Sequence, residues 1–108
     1  GVTACGGSPD NRQSMPGADA GRGRDIIVRV GCGACHTIPG VSWPKGKVGP
    51  ALAGFGSRPL IAGRSTNDPD TLAGFIRNAP AFAPGVGMPP MPLTDEEARD
   101  VAAYLYTL

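Results

Sequence analysis

A single histidine, His36, serves the whole 108-residue sequence, and there are only three cysteines. One histidine leaves no competitor for any role that needs an imidazole. A structural zinc site wants a second ligand pair beside the Cys32/Cys35 pair, and only Cys5 remains to supply it. Aromatic residues make up 6% of the chain, so the protein has little bulk of its own with which to fill an interior. No apolar run approaches the length of a membrane-spanning helix. A formal net charge of +1, with no basic run and no interleaving of basic and aromatic residues, argues against a nucleic-acid partner. No hydrophobic alternation lasts long enough to define a strand, which removes the βαβ setting that a thioredoxin-like thiol pair requires. What the chain has in abundance is Gly 17 and Pro 12, the composition of turns and loops in one small domain.

Against that background stands Gly31-Cys32-Gly33-Ala34-Cys35-His36. Two thiols three apart followed at once by histidine is the spacing of covalent haem c attachment. Each thiol can add to one haem vinyl group, and the adjacent His36 is then held beneath the iron as an axial ligand. Gly33 and Ala34 are small, so the turn between the thiols can lie close to the macrocycle. A disulfide across the same two cysteines would leave His36 unexplained. A single covalent haem would also supply the apolar mass that the sequence lacks, and folding would then depend on it.

In chain order, residues 1–17 read as a flexible leader or tether and residues 18–108 as the folded domain. Val2-Thr3-Ala4-Cys5 resembles a bacterial lipobox, with Gly6-Gly7-Ser8-Pro9 as the tether behind a lipidated Cys5. A processed lipoprotein would begin at Cys5, however, and the plain alternative is a free thiol in a flexible tail. A first helix is expected from Asp19, its N-cap, to Val30, with Gly23, Ile27 and Val30 on one face. The Gly/Pro-rich stretch from Thr37 to Gly63 reads as loop, with a short helical turn around Pro59 to Ala62. Trp43 within it either packs on the cofactor edge or stands alone on the surface. Asp68 caps a second helix that opens on Pro69 and stops before Pro80. Residues 80–93 read as a stiff proline-rich loop holding Met88 and Met91. Thr94 and Glu97 form a capping box for a last helix, whose stripe of Ala98, Val101, Ala102, Leu105 and Leu108 suits a close crossing with the Gly23 face.

This order of helix, thiol-thiol-His motif, Gly/Pro loop, middle helix, Met loop and C-terminal helix resembles the class I c-type cytochromes over residues 19–108. The resemblance implies an all-α cytochrome c fold, three to five short helices with long loops wrapped around one covalent haem. Gly49-Pro50-Ala51-Leu52-Ala53-Gly54 followed by Arg58 is similar to the family's Gly-Pro-x-Leu-x-Gly-x-x-x-Arg. It implies that the Pro50 carbonyl accepts a hydrogen bond from His36, that Leu52 packs on the haem, and that Arg58 contacts a haem propionate. The loop Pro84-Gly85-Val86-Gly87-Met88-Pro89 looks like the family's Met-Pro ligand loop and implies Met88 as second axial ligand, with Met91 as crevice packing. Residues 31–40 and 98–106 are similar to small bacterial respiratory cytochromes, including the haem c domain attached to subunit II of some haem–copper oxidases.

The implied function is one-electron transfer in a bacterial respiratory chain, by a carrier and not an enzyme, free or as a subunit of an oxidoreductase complex. Redox proteins such as a terminal oxidase or a dehydrogenase are its implied partners. The second reading is a haem enzyme or gas-sensing domain with a labile sixth ligand. Covalent haem c attachment puts the chain on the periplasmic side of the bacterial inner membrane, soluble or anchored through Cys5. A near-zero net charge predicts weak long-range steering and a mild salt dependence with partners.

Overall fold

The structure, a computed structural model, describes residues 15–108. Cys5 and its lipidation lie outside the described residues. Two helices from opposite ends of this span form the frame. Helix α1, Ala20–Val30, starts where the Asp19 carboxylate accepts the Arg22 N–H at 3.0 Å, and ends at Gly31 in the left-handed region. Helix α4, Asp95–Leu105, starts on the reciprocal box expected of Thr94 and Glu97, both hydrogen bonds being present.

The two helices cross in direct backbone contact at Gly23. A Cβ built there would lie 1.9 Å from the Asp100 carbonyl oxygen, so only glycine fits. The glycine costs helix stability, and the close crossing is what it makes room for. Polar contacts fix the register: the Asp19 N–H donates to Asp100 Oδ1 at 2.9 Å, and Arg29 pairs with Glu97 at 2.7 Å. The Tyr104 hydroxyl donates to the Pro39 carbonyl at 2.6 Å, tying α4 to the loop beyond α1.

Helix α2, Pro69–Arg77, packs against α4, capped by Asp68 and opening on Pro69 as its composition predicts. Its buried Leu72, Ala73, Phe75 and Ile76 meet Val101, Ala102 and Leu105 of α4 and the Ile26/Ile27 pair of α1 in one core. Met15, inside the stretch read as leader, packs against this core.

Two local expectations are corrected. The helical turn anticipated at Pro59 to Ala62 is absent. Instead β1, Leu60–Ile61, pairs antiparallel with β2, Ser65–Thr66, in the register Leu60↔Thr66 and Ile61↔Ser65. The reversal between them uses positive φ at Ala62 (53°) and Gly63 (69°), which turns the chain back instead of winding it onward. A 3-10 turn falls earlier, at Phe55–Ser57. The proline-rich stretch is also not all loop, because Ala79–Phe82 forms a single-turn helix, α3. Pro80 sits in its first turn, where the missing N–H would have had no partner in any case.

One buried polar network closes the core. The Tyr106 hydroxyl donates to Asn67 Oδ1 at 2.8 Å, and Asn67 Nδ2 donates to the Arg58 carbonyl at 2.9 Å. Asn67 and Tyr106 are both buried. Asn67→Ala strands these partners without water, so we expect a loss of about 1–3 kcal/mol. Thermal unfolding of the haem-loaded protein should show the midpoint falling by roughly 5–15 °C, and an unchanged midpoint would remove the network from the account of stability.

Candidate functional site

Gly31 ends α1 in a left-handed conformation, and the chain enters a 3-10 turn over Cys32–Ala34. The Cys35 and His36 N–H groups both donate to the Cys32 carbonyl, at 3.2 and 3.0 Å, so the two thiols and the imidazole issue from one tight turn. Both cysteines are free, Cys32 half-buried against the core and Cys35 exposed. Burial pushes the Cys32 thiol above the usual thiol range.

His36 Nδ1 lies 2.7 Å from the Pro50 carbonyl oxygen. A carbonyl can only accept, so Nδ1 carries a proton, and in the neutral ring Nε2 keeps its lone pair. That is the imidazole form a metal needs. The face of the same ring is covered by Gly49, where a built Cβ would lie 2.4 Å from Cε1 and 2.8 Å from Nδ1. The ring is therefore held at one edge by Pro50 and across its plane by Gly49.

Loop 43–50 is seated on the thiol turn, backbone against backbone. The Gly46 N–H donates to the Gly33 carbonyl at 2.8 Å, the Gly49 N–H to Cys35 at 2.7 Å, and the Thr37 hydroxyl to Gly46 at 2.9 Å. Gly33 leaves no room for a side chain, because its Cβ would meet the Pro44 carbonyl oxygen at 2.7 Å. At Gly46 a Cβ would meet the Ala34 carbonyl oxygen at 2.3 Å. The smallness of Gly33 thus serves the seating of this loop. The sequence offered Gly33 and the Gly-Pro pair as motif members, but the seat formed by Gly33, Gly46 and Gly49 together escaped it.

The other anticipated residues fall as follows. Leu52 is buried in the core, with its N–H on the Thr37 carbonyl at 2.9 Å. The Arg58 guanidinium lies over the Phe55 ring, 5.6 Å from its centroid, and donates to the carbonyls of Ala51 at 2.7 Å and Ala53 at 3.2 Å. It clasps the segment that follows Pro50. Met88 and Met91 are both half-buried against the core, Met91 held by its N–H on the Arg77 carbonyl at 3.0 Å. Trp43 is 80% exposed. A recess of about 550 Å³ beside Met91, lined also by Gly74, Arg77, Asn78, Pro92 and Leu93, contains neither the thiols nor His36.

Among the described residues no three His, Cys, Asp or Glu side chains converge on a point that would hold a bare metal ion. The donor set fits haem instead: two free thiols on one turn, an imidazole with a directed Nε2 lone pair, and soft thioethers at the opposite end of the sequence motif order. Among the described residues no helix is long and apolar enough to cross a membrane.

Comparison with known proteins agrees with this chemistry. The family described as cytochrome c oxidase, cbb3-type, subunit III matches residues 18–105. Cytochrome c oxidase subunit 2 of Alkalihalophilus pseudofirmus is 32% identical over 90 residues, covering 82% of this chain and 25% of that protein. Cytochrome c-551 of Ectopseudomonas mendocina is 33% identical over 87 residues, covering 80% of this chain and 96% of that protein. The chain therefore spans a quarter of the oxidase subunit and nearly all of the small cytochrome.

Proposed function

The chain belongs to the c-type cytochrome family described as cytochrome c oxidase, cbb3-type, subunit III, whose work is electron transfer with haem, and we propose from this that it is a six-coordinate one-electron carrier of a respiratory chain. In this reading Cys32 and Cys35 hold one haem c covalently, and His36 and Met88 are its axial ligands. The observation that carries it is the 2.7 Å contact of His36 Nδ1 with the Pro50 carbonyl, which presents Nε2 as a donor.

Bound haem supplies a one-electron couple at its iron. The residues do the rest. Pro50 withdraws the Nδ1 proton partway, makes Nε2 more basic and keeps the ring from turning. Gly49 lets the loop backbone press on the ring face. The Met88 thioether is a soft donor that favours the ferrous state, which raises the reduction potential. Leu52 and Phe55 keep water from the interior behind the loop. Arg58, already clasping that loop, is also the cation that would meet a propionate. Were His36 and Met88 both given to the group, the chemistry it would supply would be outer-sphere electron transfer and not reaction with a bound substrate.

The similarity to an oxidase subunit and to a small cytochrome supports a redox-protein partner, such as a terminal oxidase or a dehydrogenase, on the periplasmic side of the inner membrane. Replacing each methionine tests the ligand assignment. Met88→Ala should abolish the ferric sulfur-to-iron charge-transfer band and lower the reduction potential, while Met91→Ala should keep both close to the parent. The reverse pattern would transfer the ligand role to Met91.

A further inference from the structure

Resting on the reading of Met88 as an axial ligand, we propose that Arg77 is a positioning residue for it: from the last turn of α2 it clamps the outgoing stem of the Met88 loop, and so sets how seldom the thioether leaves its axial position.

Two hydrogen bonds make the clamp. The Met91 N–H donates to the Arg77 carbonyl at 3.0 Å, and Arg77 Nε donates to the Leu93 carbonyl at 3.1 Å. A carbonyl in the last turn of a helix has no partner within that helix, so the first bond uses an acceptor that the end of α2 leaves open. The second is the use to which the guanidinium is put, because among the described residues no carboxylate lies within ion-pair distance of Arg77. Leu93 is buried, and its N–H turns back onto the Met91 carbonyl at 2.8 Å, which ties the three residues into one piece. This stem borders the recess beside Met91, so packing does not back it on that side. The two bonds to Arg77 hold it there.

A shift at residues 91–93 is felt at Met88 because the chain between them is stiff. Pro89, Pro90 and Pro92 have a fixed φ. Met88, Pro89 and Met91 each precede a proline and are confined to extended angles. Residues 88–92 therefore act as a strut. The incoming side is built differently. Ala83-Pro84-Gly85-Val86 is closed by the Val86 N–H on the Ala83 carbonyl at 3.0 Å, with Gly85 at φ 86°, the arrangement of a type II turn. That turn continues from α3, and Phe82 seats α3 on α2. A Cβ built at Gly74 would lie 2.8 Å from Phe82 Cζ, and the Phe75 and Phe82 rings meet edge-on with centroids 6.2 Å apart. Between the turn and Met88 stands Gly87, where a built Cβ would have nothing within 4 Å. A glycine in open space passes on little of one neighbour's position to the other. Both stems thus rest on α2, but only the outgoing one, held by Arg77, is rigidly joined to Met88.

The test titrates the haem-loaded ferric protein with imidazole, which binds iron only where Met88 has left, so its apparent affinity scales with the released population. Arg77 is exposed, and replacing it should leave the domain folded. Arg77→Leu removes the Nε donor and should raise imidazole affinity about 3- to 10-fold, the worth of one such bond. Arg77→Gln loses the charge but carries an N–H donor at the same distance along the side chain as Nε, so its affinity should stay within about 2-fold of the parent. Without imidazole both variants should keep the ferric sulfur-to-iron charge-transfer band. Asn67→Ala, which weakens the core elsewhere, should also stay within about 2-fold of the parent. An unchanged affinity in Arg77→Leu overturns the proposal, as does an equal rise in Arg77→Gln. So does an equal rise in Asn67→Ala, which would make imidazole a gauge of general stability. Failure of the ligand reading looks different: Met88→Ala would then keep the charge-transfer band, whatever the Arg77 variants do.

Discussion

Gly49→Ala should keep its covalent haem and yet hold the iron poorly. The new methyl group would fall 2.4 Å from His36 Cε1, well inside contact distance, and neither side can yield cheaply. The loop is anchored by the Gly49 N–H on Cys35 and, one residue on, by Pro50 on Nδ1. Either the imidazole turns, which breaks its bond to Pro50, or the loop lifts, which breaks the same bond from the other side. Loss of such a supporting partner weakens a metal–histidine bond by about 10- to 100-fold. A proton competes with iron for Nε2, so a weaker iron bond lets the proton win at a higher pH. The acid transition, followed by the loss of the low-spin haem spectrum, should therefore move up by about 1–2 pH units. Haem staining on a denaturing gel should not change, because in the proposed reading the thioethers depend on Cys32 and Cys35 alone. An acid transition at the parental pH would show that Gly49 does not position the imidazole.

Gly23→Ala should be the most destabilising small substitution in the domain. Its methyl would meet a backbone carbonyl oxygen, that of Asp100, at 1.9 Å, and a second backbone atom, Val101 N, at 2.9 Å. Backbone inside a helix cannot rotate aside as a side chain does, so α1 and α4 must separate. Separation loosens Ile26, Ile27, Val101 and Ala102, all 3% exposed or less. It also pulls Asp19 from Asp100, whose second carboxylate oxygen is buried without a hydrogen-bond partner among the described residues. Overpacking of a tight contact costs about 1–3 kcal/mol and sometimes more, against about 1 kcal/mol returned by alanine's better helix propensity. Because no side chain can absorb this clash, we expect the overpacking cost to exceed that range at about 4 kcal/mol, a net loss of about 3 kcal/mol. Denaturant unfolding of the haem-loaded variant measures it. A stability equal to the parent would mean that the crossing is not tight, while Gly21→Ala, whose nearest neighbour is an Asp19 side-chain oxygen at 3.4 Å, should be neutral or slightly stabilising.

These two glycines also divide what was legible in the sequence from what was not. Gly23 could be read because it breaks the apolar spacing of an otherwise regular helix face, and a helix face has one predictable direction. The caps Asp19, Asp68 and Thr94 were legible for the same reason, since a cap bonds an N–H only three residues away. Gly49 lies beside Pro50 in a recognisable motif, but what demands a glycine there is a ring thirteen residues earlier, and no local pattern records that. Gly33 and Gly46 depend on each other in the same way. The β1–β2 turn was missed because Ala62 adopts a positive φ that alanine seldom chooses, so tertiary context decided it. α3 was hidden because its Pro80 reads as a breaker unless the helix start at Ala79 is known. The resemblance gave Arg58 a role toward the cofactor, and its bonds to Ala51 and Ala53 add a second use for the same charge. Met88 and Met91 share the same stiff loop and the same partial burial, so neither pattern nor packing separates them.

The crossing of α1 and α4 has a consequence for the order of events in the life of the chain. The contact from Asp19 to Asp100 spans 81 residues, almost the full described length. Closing so long a loop is entropically slow, and it must wait for α4 to exist. During synthesis the segment bearing Cys32, Cys35 and His36 emerges some sixty residues before the helix that locks α1 in place. Over that interval the thiols belong to an unclosed chain and are open to whatever attaches the cofactor. The late-arriving C-terminal helix thus acts as a timer as well as a brace, shutting the domain only after its reactive turn has been available for reaction.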